Sequence, residues 1–402
     1  MDKKILRNLA YQVAETASLP IMSERRELWK RHNDLEIVRP LILIFPEGSW
    51  RELLPESILE CTQQETRQIE WELRRRLYTY THFMDDTVIE NSWIVQKRFQ
   101  VSDWGIQIQR SERTQETGSW HFIPVIKDFS EIEKLHFPQV TYDPDGTTDD
   151  FNAAQDLFGD ILDIKLKGVA HVSFHLASVY SNLRGLEQMY TDMVDYPEEM
   201  LEFLEFLTQG YENLIKQYHD LNLFSLNNDQ TYHSSGGVGY TNHLPVPGFT
   251  PTRVRQCDLW ASAESQEYAV VSPHMHRRFA LDFEKRLLQP FGLNGYGCCE
   301  DLTNKLEDVL TIPNIRRISI SPFANVDRCA EILGNRAIFS WKPQPQQLVG
   351  EFNKNEIESY LLHTLEVTKD CVVEIILKDT HTCENQPDRF DDWSKIAHSL
   401  IG

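Results

Sequence analysis

Cationic side chains are scarce in this chain relative to anionic ones. Its 402 residues carry 40 Lys and Arg against 61 Asp and Glu, a formal charge of −21. Such a surface repels a phosphate backbone, so nucleic acid is excluded as an expected partner. No run of about 18 apolar residues occurs, so no span of a membrane is expected. The start, Met1-Asp2-Lys3-Lys4-Ile5-Leu6, leads into a mixed polar helix with no apolar signal core. There is no GxGxxG, no Walker loop and no GxSxG elbow, which disfavours Rossmann dinucleotide, P-loop and hydrolase readings. Seven cysteines form an odd set without framework spacing and without a CxxC knuckle. Reduced thiols and a cytoplasmic location are the expectation. Internal repeats and low-complexity tracts are also missing. The remainder, 41% hydrophobic and 25% charged, is ordinary for a soluble globular protein.

What the chain does have is two clusters of soft and imidazole donors. Gly295-Tyr296-Gly297-Cys298-Cys299-Glu300 follows one short β-type run. Lys378-Asp379-Thr380-His381-Thr382-Cys383 follows another, Val372–Leu377. Thiolates and an imidazole at strand ends suit Zn²⁺, and a catalytic zinc keeps an open position. The competing reading is that these cysteines are small buried hydrophobes. Both readings stay open at the level of the residues.

The order of elements points to α/β architecture. Residues 1 to about 36 read as a helical extension. Pro40 to Pro46 encloses a continuous apolar run, the pattern of a buried parallel strand. Residues 56–82 read as an amphipathic helix, and Trp93–Phe99 as a strand. A hairpin insertion is expected near 100–140, between the alternating segment at Trp104–Gln109 and the segment at Trp120–Val125. From residue 168, strand and helix alternate: 168–174, then a helix at 197–221, then strands at 223–229, 294–298, 317–321, 337–341 and 372–377. A loop at 234–252 is too long for a mere connection. Ser272-Pro273 is a helix start, with Ser as N-cap and Pro at the first helical position. Eight strand candidates in alternation predict one (β/α)₈ TIM barrel over 1–402, with its site at the carboxyl ends of the strands. Polar residues gather there: Glu47, His175, Asp229, Cys298-Cys299-Glu300, Ser321, Lys342, and His381 with Cys383. Trp260, Tyr232, Tyr240 and Trp341 are candidates for a flat aromatic binding surface, and Asp229, Glu264 and Glu300 for catalytic carboxylates.

The phrase Arg184-Gly185-Leu186-Glu187-Gln188-Met189, running on to Tyr196-Pro197-Glu198-Glu199, and the phrase Ser272-Pro273-His274-Met275 with Phe279 resemble the uroporphyrinogen decarboxylase superfamily. The similarity is specific to its branch of corrinoid-linked, zinc-dependent methyltransferases. It covers residues from about 160 to the end and is loose before that. In that branch an H-x-C motif at the fifth strand and a Cys at the eighth hold zinc. The resemblance therefore implies Cys298 and Cys383 as ligands. Tyr296 stands where the motif has His, so His381 or Cys299 would complete the set, or Glu264 or Glu300 as a carboxylate ligand. It also implies methyl transfer between a small-molecule donor or acceptor and a corrinoid carried by a partner protein; a homodimer is compatible with it. The decarboxylase itself fits less well, because one Arg, Arg51, and an added Glu47 follow the first strand. Two alternatives remain: a decarboxylase-like lyase acting on a small acid, with Arg51, Arg98, Arg184 and Lys342 as its carboxylate clamp, and a non-catalytic partner in a corrinoid complex.

Overall fold

The computed structural model describes residues 1–112, 122–233 and 236–401. Its centre is a parallel sheet of seven strands. Their order is Leu41–Ile44, Val372–Leu377, Ile338–Trp341, Ile315–Ile320, Leu293–Tyr296, Trp260–Ala263, Ser173–Phe174. Most of these strands are buried along their whole length, which is why they read as unbroken apolar runs rather than alternations. Helices lie between successive strands, including Pro197–Asp220, Val326–Leu333 and Lys354–Val367. Ser272 caps its helix as expected, its Oγ accepting from Met275 N at 3.2 Å. The N-terminal segment forms two helices, Asp2–Ala17 and Pro20–Asn33. Among the described residues no helix is long and apolar enough to cross a membrane.

The architecture is α/β with a parallel sheet, but the strands at its two ends, Leu41–Ile44 and Ser173–Phe174, do not pair with each other, so the closed eight-stranded barrel expected from the sequence is not seen, and the order departs from it in three places. Strand Ser92–Gln96 pairs with Asp163–Lys167 in a separate parallel pair. Residues 223–229 do not form a strand; a single bridge, Val169 to Phe224, marks their place. Trp260–Ala263, which is not among the eight strand candidates, is a strand in the main sheet.

Side chains explain both seams. Asn227 Nδ2 donates to the carbonyls of Ala170 (2.7 Å) and Trp260 (3.0 Å), and Asn227 Oδ1 accepts from Trp260 N (3.0 Å). Its amide stands where ladder backbone would be. At the free edge of 41–44, Asp86 Oδ2 accepts from Ile42 N (2.8 Å) and Asp85 Oδ2 from Ile44 N (3.1 Å). Buried backbone donors must be paired, and these carboxylates replace a neighbouring strand.

Around the insertion, Arg98–Val101 runs antiparallel to Val140–Asp143, and Gln109–Arg110 to Phe122–Ile123. The tip of the expected hairpin, 113–121, lies outside the described residues, as do 234 and 235 at the start of the long loop. The first part of that loop, 236–241, is buried rather than lying on the surface as a mere connection would. Tyr232–His233 pairs with Gly236–Val238, which lies deep among the strands. A Cβ at Gly236 would meet Ser340 Oγ, and one at Gly237 would meet Arg317 and Glu374. Gly237 has φ +52°, a conformation that Gly adopts at no steric cost.

Candidate functional site

Two levels of polar residues run through the strand cluster. The inner level is mid-strand. Arg317 and Glu374 are fully buried and paired at 2.8 Å. Arg317 Nη2 also donates to Asn33 Oδ1 (2.8 Å), and Asn33 Nδ2 holds the carbonyls of Val238 and Tyr240, each at 2.7 Å. The inner level is therefore a lock that joins the N-terminal helices, the strands and the 236–240 segment, although the buried Arg317 Nη1 has no hydrogen-bond partner among the described residues. Its signal in the sequence was a charge inside an apolar strand (Ile315-Arg316-Arg317-Ile318 and Val373-Glu374-Ile375), and it was missed.

The outer level is the mouth, at the carboxyl ends. Strand 293–296 ends at Gly297, whose φ of +91° turns the chain so that Cys298 and Cys299 follow at the rim. Their sulfurs are 3.5 Å apart and half-buried. Cys299 Sγ lies 3.8 Å from Asp379 Oδ2, at the end of strand 372–377. The two clusters picked out in the sequence thus meet, but through Asp379. The Lys378 ammonium loses hydration by burial, yet the surrounding Cys298, Asp379, Cys299 and Glu47 raise its pKa. Within the pair, the hydrogen bond with Cys298 favours Cys299 as the thiolate. Burial, then the charge of Asp379, raises the Glu47 carboxyl. Lys342, deeply buried and bonded to Ser340 Oγ at 2.9 Å, is lowered to about 7 by burial.

Beside the thiols stands a second arrangement. His175, just before helix Leu176–Arg184, meets Glu264, just after strand 260–263: Nδ1 and Oε1 are 2.8 Å apart. His175 is 41% exposed at its side chain and Glu264 12%. Burial disfavours the imidazolium, but the bond to Glu264 together with the charges of Glu264, Glu267 and Glu284 outweighs it and raises the His175 pKa. The Glu264 charge also acts on Cys298, so the dyad and the thiols share one field. Glu300 Oε2 accepts from Cys298 N at 2.8 Å, which makes it a brace for the thiol turn; burial and Glu264 raise its pKa. Behind it, Tyr296 OH bridges Glu284 Oε2 (2.7 Å) and His276 Nε2 (2.8 Å). Burial pushes Glu284 up to about 7.

Several expected site residues stand elsewhere. Cys383 is 0% exposed and its thiol donates to Glu52 Oε2 at 3.1 Å; burial, then Glu52, pushes its pKa up to about 11. His381 is exposed, and its carbonyl accepts from Arg51 Nη2 at 3.1 Å. Neither is grouped with Cys298 and Cys299 around a common point. Among the described residues no group of three or more His, Cys, Asp or Glu side chains is placed to hold one metal ion. The donor set drawn from the resemblance therefore does not fit zinc as it stands. Trp260 and Trp341 are fully buried and form no aromatic surface at the mouth. Trp260 stacks on His233 at 5.5 Å, and Trp341 packs on Tyr360 at 5.1 Å, where apolar burial outweighs any gain from facing a ligand. Asp229 is ion-paired with Lys167, which outweighs burial and lowers its pKa, so it is unsuited to general-base work. Tyr232 does reach the mouth: burial, then Cys298 and Glu47, raises its hydroxyl pKa far above the ordinary value. It also lines a cavity of about 600 Å³ beside strands 41–44 and 92–96, with Phe45, Trp50, Trp93 and Tyr240. With Gly236–Val238 among the strands, the space around Arg317 and Glu374 is taken, so a macrocycle would have to approach from outside.

No family model matches the chain, and no curated protein matches it. Among solved structures it is similar to a methyltransferase from Methanosarcina mazei, with 10% identity and a TM-score of 0.53. The likeness covers 94% of this chain and 98% of that one. At that identity it speaks to the fold: this chain has the same overall course of strands and helices.

Proposed function

We propose that the protein is a methyltransferase that works at the mouth, with a thiol as methyl acceptor. The observation that carries this reading is the juxtaposition of the His175–Glu264 dyad with the Cys298–Cys299 pair at neighbouring strand ends. Transfer to a thiol needs the acceptor's proton removed and the attacking sulfur held in line with the methyl carbon. Glu264 accepts from His175 Nδ1, which leaves Nε2 as the base. His175 takes the acceptor's proton; the S–H bond breaks, an S–CH₃ bond forms, and the donor keeps the electron pair of the bond it held. The Lys378 ammonium offsets negative charge as the thiolate develops. Cys298 and Cys299 line the path with polarisable sulfur. A methyl-corrinoid presented by a second protein is the donor class we attach to this reading, supported by the resemblance of the 184–199 and 272–279 segments. No step is assigned to zinc.

The lyase reading is weaker. Arg98 is paired with Asp150 and Arg184 with Asp192, and Arg51 is exposed, with one of its donors on the His381 carbonyl. Lys342 and Lys378 remain; Glu374 already offsets the charge of Lys342, and Asp379 and Glu47 that of Lys378.

The test is an assay of purified protein with methylcobalamin and a panel of small thiols, in parallel with His175→Gln. Methylated thiol from the wild type, with the rate reduced about 10²-fold or more in the variant, supports the reading. A folded wild type that methylates none of the thiols, or a variant as fast as wild type, overturns it.

A further inference from the structure

We propose that Cys298 and Cys299 are also a reversible redox site: on two-electron oxidation by a hydroperoxide they close to a disulfide between adjacent residues. The inference stands on geometry alone and is independent of the methyl-transfer reading.

Five of the seven cysteines offer nothing comparable. Cys61, Cys329, Cys371 and Cys383 are buried, and Cys257 has no neighbouring thiol among the contacts of the described residues. Cys298 and Cys299 are half-buried at the rim, with their sulfurs already 3.5 Å apart. A disulfide needs roughly 2.0 Å, so side-chain rotation supplies most of the closure. The surrounding backbone is held from both sides. Cys298 N donates to Glu300 Oε2 at 2.8 Å, and the Cys298 carbonyl accepts from Ser319 Oγ at 2.6 Å.

That fixed backbone also decides the character of the bond. Adjacent Cα atoms are roughly 3.8 Å apart across a trans peptide, whereas disulfides ordinarily span roughly 4.4–6.8 Å. The closed ring is therefore strained, and strained disulfides are the easily reduced ones. The pair suits a switch and not a staple.

The chemistry balances. One sulfur attacks the peroxide; the O–O bond breaks, a sulfenic acid forms and the alcohol or water leaves. The second thiol then displaces hydroxide from the sulfenic sulfur, and with its proton this leaves as water. Two thiols are oxidised and one peroxide is reduced.

The test treats the full chain with hydrogen peroxide and follows thiol titration with peptide mass spectrometry. The expected result is loss of two titratable thiols and of two hydrogens from the peptide containing 298 and 299, with the chain still monomeric in its covalent mass. Glutathione should restore both thiols. Cys298→Ser and Cys299→Ser should each block closure, leaving a sulfenic acid that dimedone traps in at least one of them. Persistence of both thiols while Cys257 is oxidised would overturn the proposal. So would a disulfide from either residue to another cysteine, or direct passage to sulfinic acid in the wild type.

Discussion

The inner and outer levels of the strand cluster use the same strands and kindred side chains, yet they behave as opposites. Inside, Arg317, Glu374 and Asn33 are shielded from water and bonded to each other and to the 236–240 segment. Outside, His175, Cys298, Cys299 and Lys378 stand within reach of solvent, and much of their interaction is electrostatic. A charge pair held by the fold from every side is structure. Charges and thiols held from one side only are free to meet a ligand. Depth along the strand, and not residue type, separates the two.

The largest effect is expected at the inner level. Arg317→Met leaves Glu374 buried without its cation and should cost about 3–5 kcal/mol in guanidinium unfolding. Arg317→Met combined with Glu374→Leu should recover much of that loss, since a buried pair replaced by apolar groups is often neutral. A single variant as stable as wild type would erase the distinction between the levels.

At the outer level the balance reverses. His175→Gln should raise the barrier to methyl transfer by roughly 3 kcal/mol or more, while unfolding stability stays within about 0.5 kcal/mol of wild type. Equal damage to stability and activity would mark His175 as structural.

Behind the mouth, on helix Asp282–Leu288, lies Glu284, bonded to Ser265 and Tyr296 and close to the charges of Glu264 and Glu300. Its carboxyl, pushed up to about 7 by burial, binds its proton more tightly folded than unfolded. That contribution to stability is complete below the ordinary carboxyl range and is lost as pH rises to about 7. Melting from pH 5 to 8 should therefore fall less steeply in Glu284→Gln, by on the order of 1–2 kcal/mol across the range. Parallel curves for the two proteins would show that Glu284 is ionised at all these pH values.

The smallest effect is expected at Cys383. Its side chain belongs to the core and bonds Glu52, so Cys383→Ala should cost about 1 kcal/mol and leave the transfer rate unchanged. Loss of activity without loss of stability would return Cys383 to the site.

How much of this was legible follows from what each kind of residue reports. Apolar runs such as Leu41–Ile44 and Val372–Leu377 report burial directly, and both are strands. Ser272-Pro273 reports a helix start through local bonding, and the cap is there. The run Leu223–Leu226 looks the same but does not join the sheet, because Asn227, its neighbour, spends its amide on the adjoining strands. The placement of Cys298 and Cys299 beside the end of strand 372–377 followed from parallel-strand logic. The assignment of His381 and Cys383 to the same point did not hold, because the turn after that strand sends Asp379 inward and Cys383 back to Glu52.

By itself the sequence determined the layer architecture and the end of the sheet where half-buried polar groups gather. Burial and capping are local, and they repeat along the chain with the period of the element. Only the tertiary structure decided which polar residues became a lock and which stayed at the mouth. It brought Gly236–Val238 among the strands, set Asp85, Asp86 and Asn227 in the seams, and joined His175 to Glu264 across 89 positions of chain. Those outcomes depend on which side chains lose water together, and no pattern of spacing records that.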